Sequence, residues 1–189
     1  MPLSPTRTTS EFGFDAGPLL RVGTLDGDSA LAGAGIALEA RAERLTPRLG
    51  ALFFLIAHLP TEVAVGEARA DLELISARLL PTFGFDIAPS LSSTFGLGAG
   101  IDWLRAAPRS DTLARGYPVS LADVTLSALA GVRWVIAHPF IATAAASFDI
   151  DWSPRSFSAR RGDQRMTLLE LDRFRPSLLL GLALSSGER

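Results

Sequence analysis

Apolar residues recur at every second position through most of this chain, and that pattern commits it to β-strands. In Ile36–Glu43 the even positions are apolar, while Glu39, Arg41 and Glu43 share the other face. In Glu67–Leu74 the even face is again apolar and the odd face carries Glu67, Arg69, Asp71 and Glu73. In Ala122–Ile136 one face collects Val124, Leu126, Val132 and Trp134, and the other collects Asp123, Thr125, Ser127 and Arg133. Ala142–Trp152 sets Phe148, Ile150 and Trp152 opposite Asp149 and Asp151, and Ser177–Leu184 places four leucines on even positions. Side chains alternate across a strand with period two, so each segment reads as a two-faced strand. Leu31–Leu45 is also rich in good helix formers. A helix, however, would scatter Ile36, Leu38, Ala40 and Ala42 around its surface instead of gathering them into a stripe.

Turn residues cut the pattern into eight runs, about 13–24, 32–45, 49–59, 65–83, 91–105, 119–137, 139–153 and 172–187. The breaks at Thr46-Pro47-Arg48, Phe85–Ser90 and His138-Pro139 are tight. Asp26–Ser29, Leu59–Gly66, Arg105–Pro118 and Ser153–Arg165 read as longer polar loops. An even number of strands, with tight turns at one end and longer loops at the other, predicts an antiparallel up-and-down barrel. The expected organisation is a flexible N-terminal segment over 1–11 and one barrel domain over 12–189.

The solvent decides which face points in. The apolar faces mix Leu, Val, Ile and Phe with many alanines, which suits a smooth band against lipid. Gly96, Gly98 and Gly100 fall on the opposite face, where a narrow lumen needs small residues. Trp103, Trp134 and Trp152 sit on apolar faces near run ends, as interfacial girdles do. The expected fold is therefore an all-β, eight-stranded, antiparallel transmembrane barrel. The segment Ala51–Ala57 is apolar on both faces and fits a membrane barrel or a soluble one. No apolar stretch is long enough for a spanning helix, and Met1–Arg7 has no apolar segment of signal-peptide type.

Composition narrows the function. The 189 residues hold no Cys and only two His, which removes disulfides, thiolate metal sites and Cys nucleophiles. A net charge of −2 gives no global field to recruit nucleic acid. There is no Lys and no Asn, so all 18 basic residues are Arg. That pattern points to a GC-rich genome and makes abundant arginine weak evidence of phosphate recognition.

Glu39-Ala40-Arg41-Ala42, Leu97-Gly98-Ala99-Gly100 and Pro176–Leu182 resemble segments of small outer-membrane β-barrels of GC-rich Gram-negative bacteria, those of myxobacterial type among them. The resemblance runs from about Phe12 to the end. It implies an eight-stranded barrel in the outer membrane with short periplasmic turns. It implies no particular activity.

Glu39, Arg41, Glu43, Glu67, Arg69, Asp71, Glu73, Asp102, Asp123, Arg133, Asp149 and Asp151 are expected to converge in the lumen. In so narrow a space buried charges must be paired, so a salt-bridge plug is favoured over a polar conduit. Nine carboxylates against three arginines leave some acids protonated, wet at the barrel ends, or reaching Arg21. The Asp149/Asp151 pair and the acids around Glu67 lack the spacing of a metal loop, so no metal is expected. Neither His58 nor His138 lies in a His-x-Ser pattern of the lipid A deacylase kind, and catalysis is not expected. Gly96–Gly100 is no nucleotide loop, because the alternation runs through it.

The loop arginines Arg105, Arg109, Arg115, Arg155, Arg160, Arg161 and Arg165 belong at the outer rim. There they face solvent or touch lipopolysaccharide phosphates. The expected protein is a monomeric outer-membrane barrel of structural or interaction role, with membrane lipid as partner and with no cofactor and no nucleic acid. The alternatives are a soluble lipocalin-like barrel holding an apolar ligand, which would pack Phe95, Trp103, Trp134, Phe148 and Trp152 inside, and a narrow porin-like channel for small solutes.

Overall fold

A computed structural model describes residues 12–26, 29–42, 45, 47–65, 68–109, 118–152, 156–161 and 164–186. The expected flexible segment 1–11 lies outside the described residues. The alternating segments are antiparallel strands of two sheets. They are β1 (Phe12–Asp26), β2 (Ser29–Ala42), β3 (Arg48–His58), β4 (Thr61–Val65), β5 (Ala68–Ala88), β6 (Leu91–Arg109), β7 (Val119–Ala137), β8 (Phe140–Asp151), β9 (Ser156–Arg161), β10 (Gln164–Glu170) and β11 (Phe174–Ser185). The large sheet runs β3-β2-β1-β11-β8-β7-β6-β5-β4, and β3 also pairs with β5, which closes it. β3 and β4 occupy one position in the wall, so the barrel has eight staves. β9 and β10 form a separate hairpin between β8 and β11.

The break between β3 and β4 has a local cause. Ala57 pairs with Ile75, but Thr61 pairs with Leu72, so one extra residue is accommodated at Leu59-Pro60. Pro60 has no N–H to give to the ladder. Pro18 and Pro81 also remove an N–H within strands, but with no extra residue. The β1–β11 pairing lapses between Ala16↔Leu184 and Leu19↔Gly181, and the β5–β6 pairing between Leu79↔Ala99 and Thr82↔Gly96, with the register the same on both sides.

Strands reach further than turn residues suggest. Asp26–Ser29, read as a longer loop, is a tight link with Asp26 paired to Ser29. Leu59–Gly66 contains β4, β6 continues to Arg109, and Ser153–Arg165 contains β9 and the start of β10. The fourth run extends to Ala88, and its turn is Pro89-Ser90. Polar residues in these stretches mark strands that face water, not strands that end.

The outer wall is apolar. Phe95, Trp103, Trp134, Phe148 and Trp152 are 39%, 60%, 53%, 56% and 75% exposed, which excludes the inward packing that a soluble barrel requires. In β11 the outward positions from Phe174 to Leu184 are Phe, Pro or Leu. They span about 33 Å along the strand, or about 25 Å along the axis at a tilt of ~40°, the height of a lipid-facing band. Trp134 lies near the short-turn end, while Trp103 and Trp152 lie toward the other end.

Sidedness then inverts. Along β5 the outward residues Ile87, Phe85, Phe83, Leu79 and Ile75 give way to Glu73, Asp71 and Arg69. Along β6 the outward Trp103 gives way to Arg105. At the same height the inward positions become apolar: Leu25, Leu31, Leu72, Leu74, Leu104, Ala106 and Leu171 form one buried cluster. The far end of the barrel therefore has water outside and a hydrophobic core inside, as a soluble barrel would. Within the band the order is the opposite.

Candidate functional site: the barrel lumen

The lumen is built in layers. Nearest the short turns, Arg41 pairs with Asp15 and reaches Glu39 at 3.0 Å, and Arg133 Nε donates to Asp15 Oδ2 at 2.9 Å. Next comes an apolar layer of Leu19, Phe54, Ile56, Leu80, Leu129 and Leu179. This accounts for the doubly apolar third run: Phe53 and Leu55 face lipid while Phe54 and Ile56 fill the lumen.

Above that layer sits the larger charge network. Arg78 is held 2.7 Å from Asp102 and 2.7 Å from Asp149. Arg21 Nη2 donates to Asp149 at 2.6 Å, and its Nε donates to Ser177 at 3.0 Å. Arg175 Nη2 bridges Asp102 and Asp151, each at 2.6 Å. Ser127 donates to Asp149 at 2.6 Å, and Thr125 Oγ1 stands 3.2 Å from Asp102 and 3.1 Å from Asp151. Three arginines thus meet three aspartates, all buried. The fourth layer is the leucine cluster at the loop end.

Small residues make room for this filling. A Cβ on Gly100 would lie 2.3 Å from Arg78 Cδ, and one on Gly96 would lie 3.3 Å from Leu80 Cβ. The glycines expected to line a narrow lumen do face it, and larger side chains from β5 cross over them.

The twelve lumen candidates divide. Glu39, Arg41, Asp102, Arg133, Asp149 and Asp151 take part in the two inner networks. Asp123 points inward beside Asp151 and Arg175. Arg69, Asp71 and Glu73 do not belong to the lumen: they stand on the outer wall above the band, where Arg69 pairs with Glu62 at 3.5 Å and Glu73 with Arg105 at 3.4 Å. Their row faces outward along the whole of β5, and above the band it turns from apolar to charged. Glu43 and Glu67 lie outside the described residues.

Sequence reading missed Asp15, Arg78 and Arg175, and met Arg21 only as a possible partner. Arg21, Arg78 and Arg175 supply the positive charge that the expected set lacked. The available signal was an arginine at an inward parity inside an apolar stretch, as at Ser76-Ala77-Arg78-Leu79-Leu80. His58 is buried, with Nε2 3.1 Å from Ser76 Oγ, and its Nδ1 has no hydrogen-bond partner among the described residues. Among those residues no acid hydrogen-bonds to the ring. His138 lies in the β7–β8 turn. Asp149 and Asp151 are both engaged by arginines, which leaves no open carboxylate pair there for a cation.

The same architecture occurs in solved structures. Ail, the attachment invasion locus protein of Yersinia pestis, superposes with a TM-score of 0.54 at 16% identity, over 92% of this chain and 97% of that one. Neisserial surface protein A gives 0.54 at 12% identity, over 94% and 99%. A major outer membrane protein from Thermus thermophilus gives 0.66 at 9% identity, over 92% and 99%. The fold is that of the small outer-membrane β-barrels. No protein-family model and no curated protein matches the sequence. For an outer-membrane barrel, the layers have a plain geometric meaning: an apolar collar interrupts the polar interior at two heights.

Proposed function

We propose that this protein is a monomeric outer-membrane barrel of structural or interaction role, with a plugged lumen and no catalytic activity. The observation that carries the reading is the inversion of sidedness along β5 and β6. It fixes an apolar belt for lipid and a water-facing collar beyond it. The short turns then face the periplasm, and the β9–β10 hairpin faces outward. The two ion-pair layers and two leucine-rich layers favour a plug over a conduit. Within the band every stave pairs on both sides, which leaves no strand edge there among the described residues to recruit a second copy; beyond the band β4 pairs only with β5. The absence of Lys and Asn supports a GC-rich Gram-negative host of myxobacterial type.

Membrane lipid is the proposed partner. Lipopolysaccharide phosphates are its outermost part, set against Arg69 and Arg105 on the collar. These two side chains are more than half exposed in spite of their pairs with Glu62 and Glu73. The side chains of Arg109, Arg160, Arg161 and Arg165, and all of Arg115 and Arg155, lie outside the described residues.

Fractionation of cells expressing the protein with its upstream gene region tests the reading. We expect the protein in the outer-membrane fraction, migrating faster on a gel before boiling than after. Recovery as a detergent-free soluble monomer would overturn it.

A further inference from the structure

Between the lower ion pairs and the apolar layer, the lumen holds a cavity of about 70 Å³. Its two ends differ in chemistry. Toward the short turns it is bounded by Asp15, Glu39 and Arg133, and toward the centre by Leu19, Phe54 and Leu129. Between these ends the wall is thin, because Ala37, Ala145, Gly131 and Gly181 contribute almost no side chain.

Glu39 sets the chemistry at the polar end. Its Oε2 accepts from Arg41, but Oε1 is buried and has no hydrogen-bond partner among the described residues. A buried carboxylate oxygen left in that state is costly, so the site is complete only when something donates to it. A gap of about 10 Å³, room for about one water, shares Glu39, Thr94 and Arg133 with the cavity and is also lined by Arg48 and Ser92. The same Arg48, Ser92 and Arg133 line a cup of about 400 Å³ that forms the barrel mouth at the short-turn end.

We propose that the lower lumen is a binding pocket for a short aliphatic alcohol, entering by the short-turn mouth. The hydroxyl donates to Glu39 Oε1, and the alkyl chain lies on Leu19, Phe54 and Leu129. The head is neutral because Asp15 and Glu39 already balance Arg41 and Arg133. An ammonium or carboxylate would add an uncompensated charge in a dry site. Size limits the chain: the cavity is roughly half the ~150 Å³ of an apolar cavity known to hold benzene, which leaves room for about three heavy atoms, an alcohol of two carbons. The apolar layer above ends the pocket, so binding does not require passage through the barrel and does not depend on the membrane assignment.

The test uses the full chain in detergent micelles with methyl-labelled Leu and Ala, titrated with ethanol and followed by NMR. Saturable shifts are expected at the methyls of Leu19, Leu129, Leu179 and Ala37. Leu72, Leu74 and Leu104 should stay still, and the outward Leu97 and Leu178 should drift linearly as alcohol enters the micelle. Ala37→Leu fills the cavity and should abolish the saturable set. Ala145→Leu makes the same prediction from another strand should Ala37→Leu fail to fold. Glu39→Gln exchanges a charged acceptor for a neutral one and should weaken binding roughly five- to tenfold. Ethylammonium should bind at least about tenfold more weakly than ethanol. Linear shifts throughout the lumen, or saturation that survives both filling variants, would overturn the proposal, and equal binding of ethylammonium would overturn the neutral head.

Discussion

Arg78 crosses the lumen at its most crowded point. It is buried against Asp102 and Asp149, and its Nη1 also donates to the carbonyls of Ala77 and Ile101 at 3.0 and 3.3 Å. Removing one partner of such a network leaves the other charges uncompensated, which costs about 3–5 kcal/mol. Arg78→Met should show that loss in urea unfolding from micelles. Gly100→Val should act by a different route, because the new side chain would occupy the path of Arg78 and push against the Ala77 carbonyl. A loss of about 1–3 kcal/mol is expected for such overpacking. The pairs on the collar are a contrast: Arg69 with Glu62 and Arg105 with Glu73 are solvated, and exposed pairs contribute about 0–1 kcal/mol. Arg41→Ala and Arg133→Ala should therefore lower heat stability measurably, and Arg69→Ala should not. Equal behaviour of all three would contradict the two-sided placement. Polarity alone could not sort these residues. Glu39 and Glu73 look alike in the sequence, but Glu39 lies on the inward row of β2 and Glu73 on the outward row of β5, beyond the band where that row turns charged.

At the scale of the strand, β5 shows both what alternation conveys and what it omits. Period two correctly separates Ile75, Leu79 and Phe83 from Ser76, Arg78 and Thr82, because the pleat leaves no other arrangement. It says nothing of which set faces in. The choice holds for a whole strand, so the inward leucines at 72 and 74 and the inward Ser76 and Arg78 are one continuous row that changes chemistry as it leaves the membrane. Loop boundaries were less legible: β4, the end of β6 and the β9–β10 hairpin carry turn-like composition, yet their backbones pair as strands. The boundary can be mapped by moving one charge along one face. Leu79→Arg places a cation in the lipid band and should cost about 2–4 kcal/mol in liposome unfolding. Glu73→Arg, on the same face beyond the band, should change stability by no more than about 0.5 kcal/mol. A large penalty at 73 would place lipid where the structure places water.

Across the whole molecule, the barrel carries two opposed designs joined end to end: lipid outside and ion pairs inside, then water outside and leucines inside. Closure of the wall lets one set of strands serve both, since each stave has its hydrogen bonds whatever surrounds it. The proposed plug follows from how the layers are stacked. A hydrated ion would have to pass Leu72, Leu74 and Leu104 without water, cross the paired arginines, and then pass Phe54, Ile56 and Leu80. Each apolar collar alone is a desolvation barrier, so the two act in series. The protein reconstituted in a planar bilayer should therefore carry no steady current. The double variant Leu72→Ala with Leu74→Ala should remain silent, because the lower collar is untouched. Combining it with Phe54→Ala and Leu80→Ala should admit water along both collars and produce conductance, provided the four-site variant still migrates as a folded barrel on an unboiled gel. Current from the first double variant alone would mean that the upper leucines are the whole barrier, and that the lower lumen, with its cup and cavity, is open to solutes from the short-turn side.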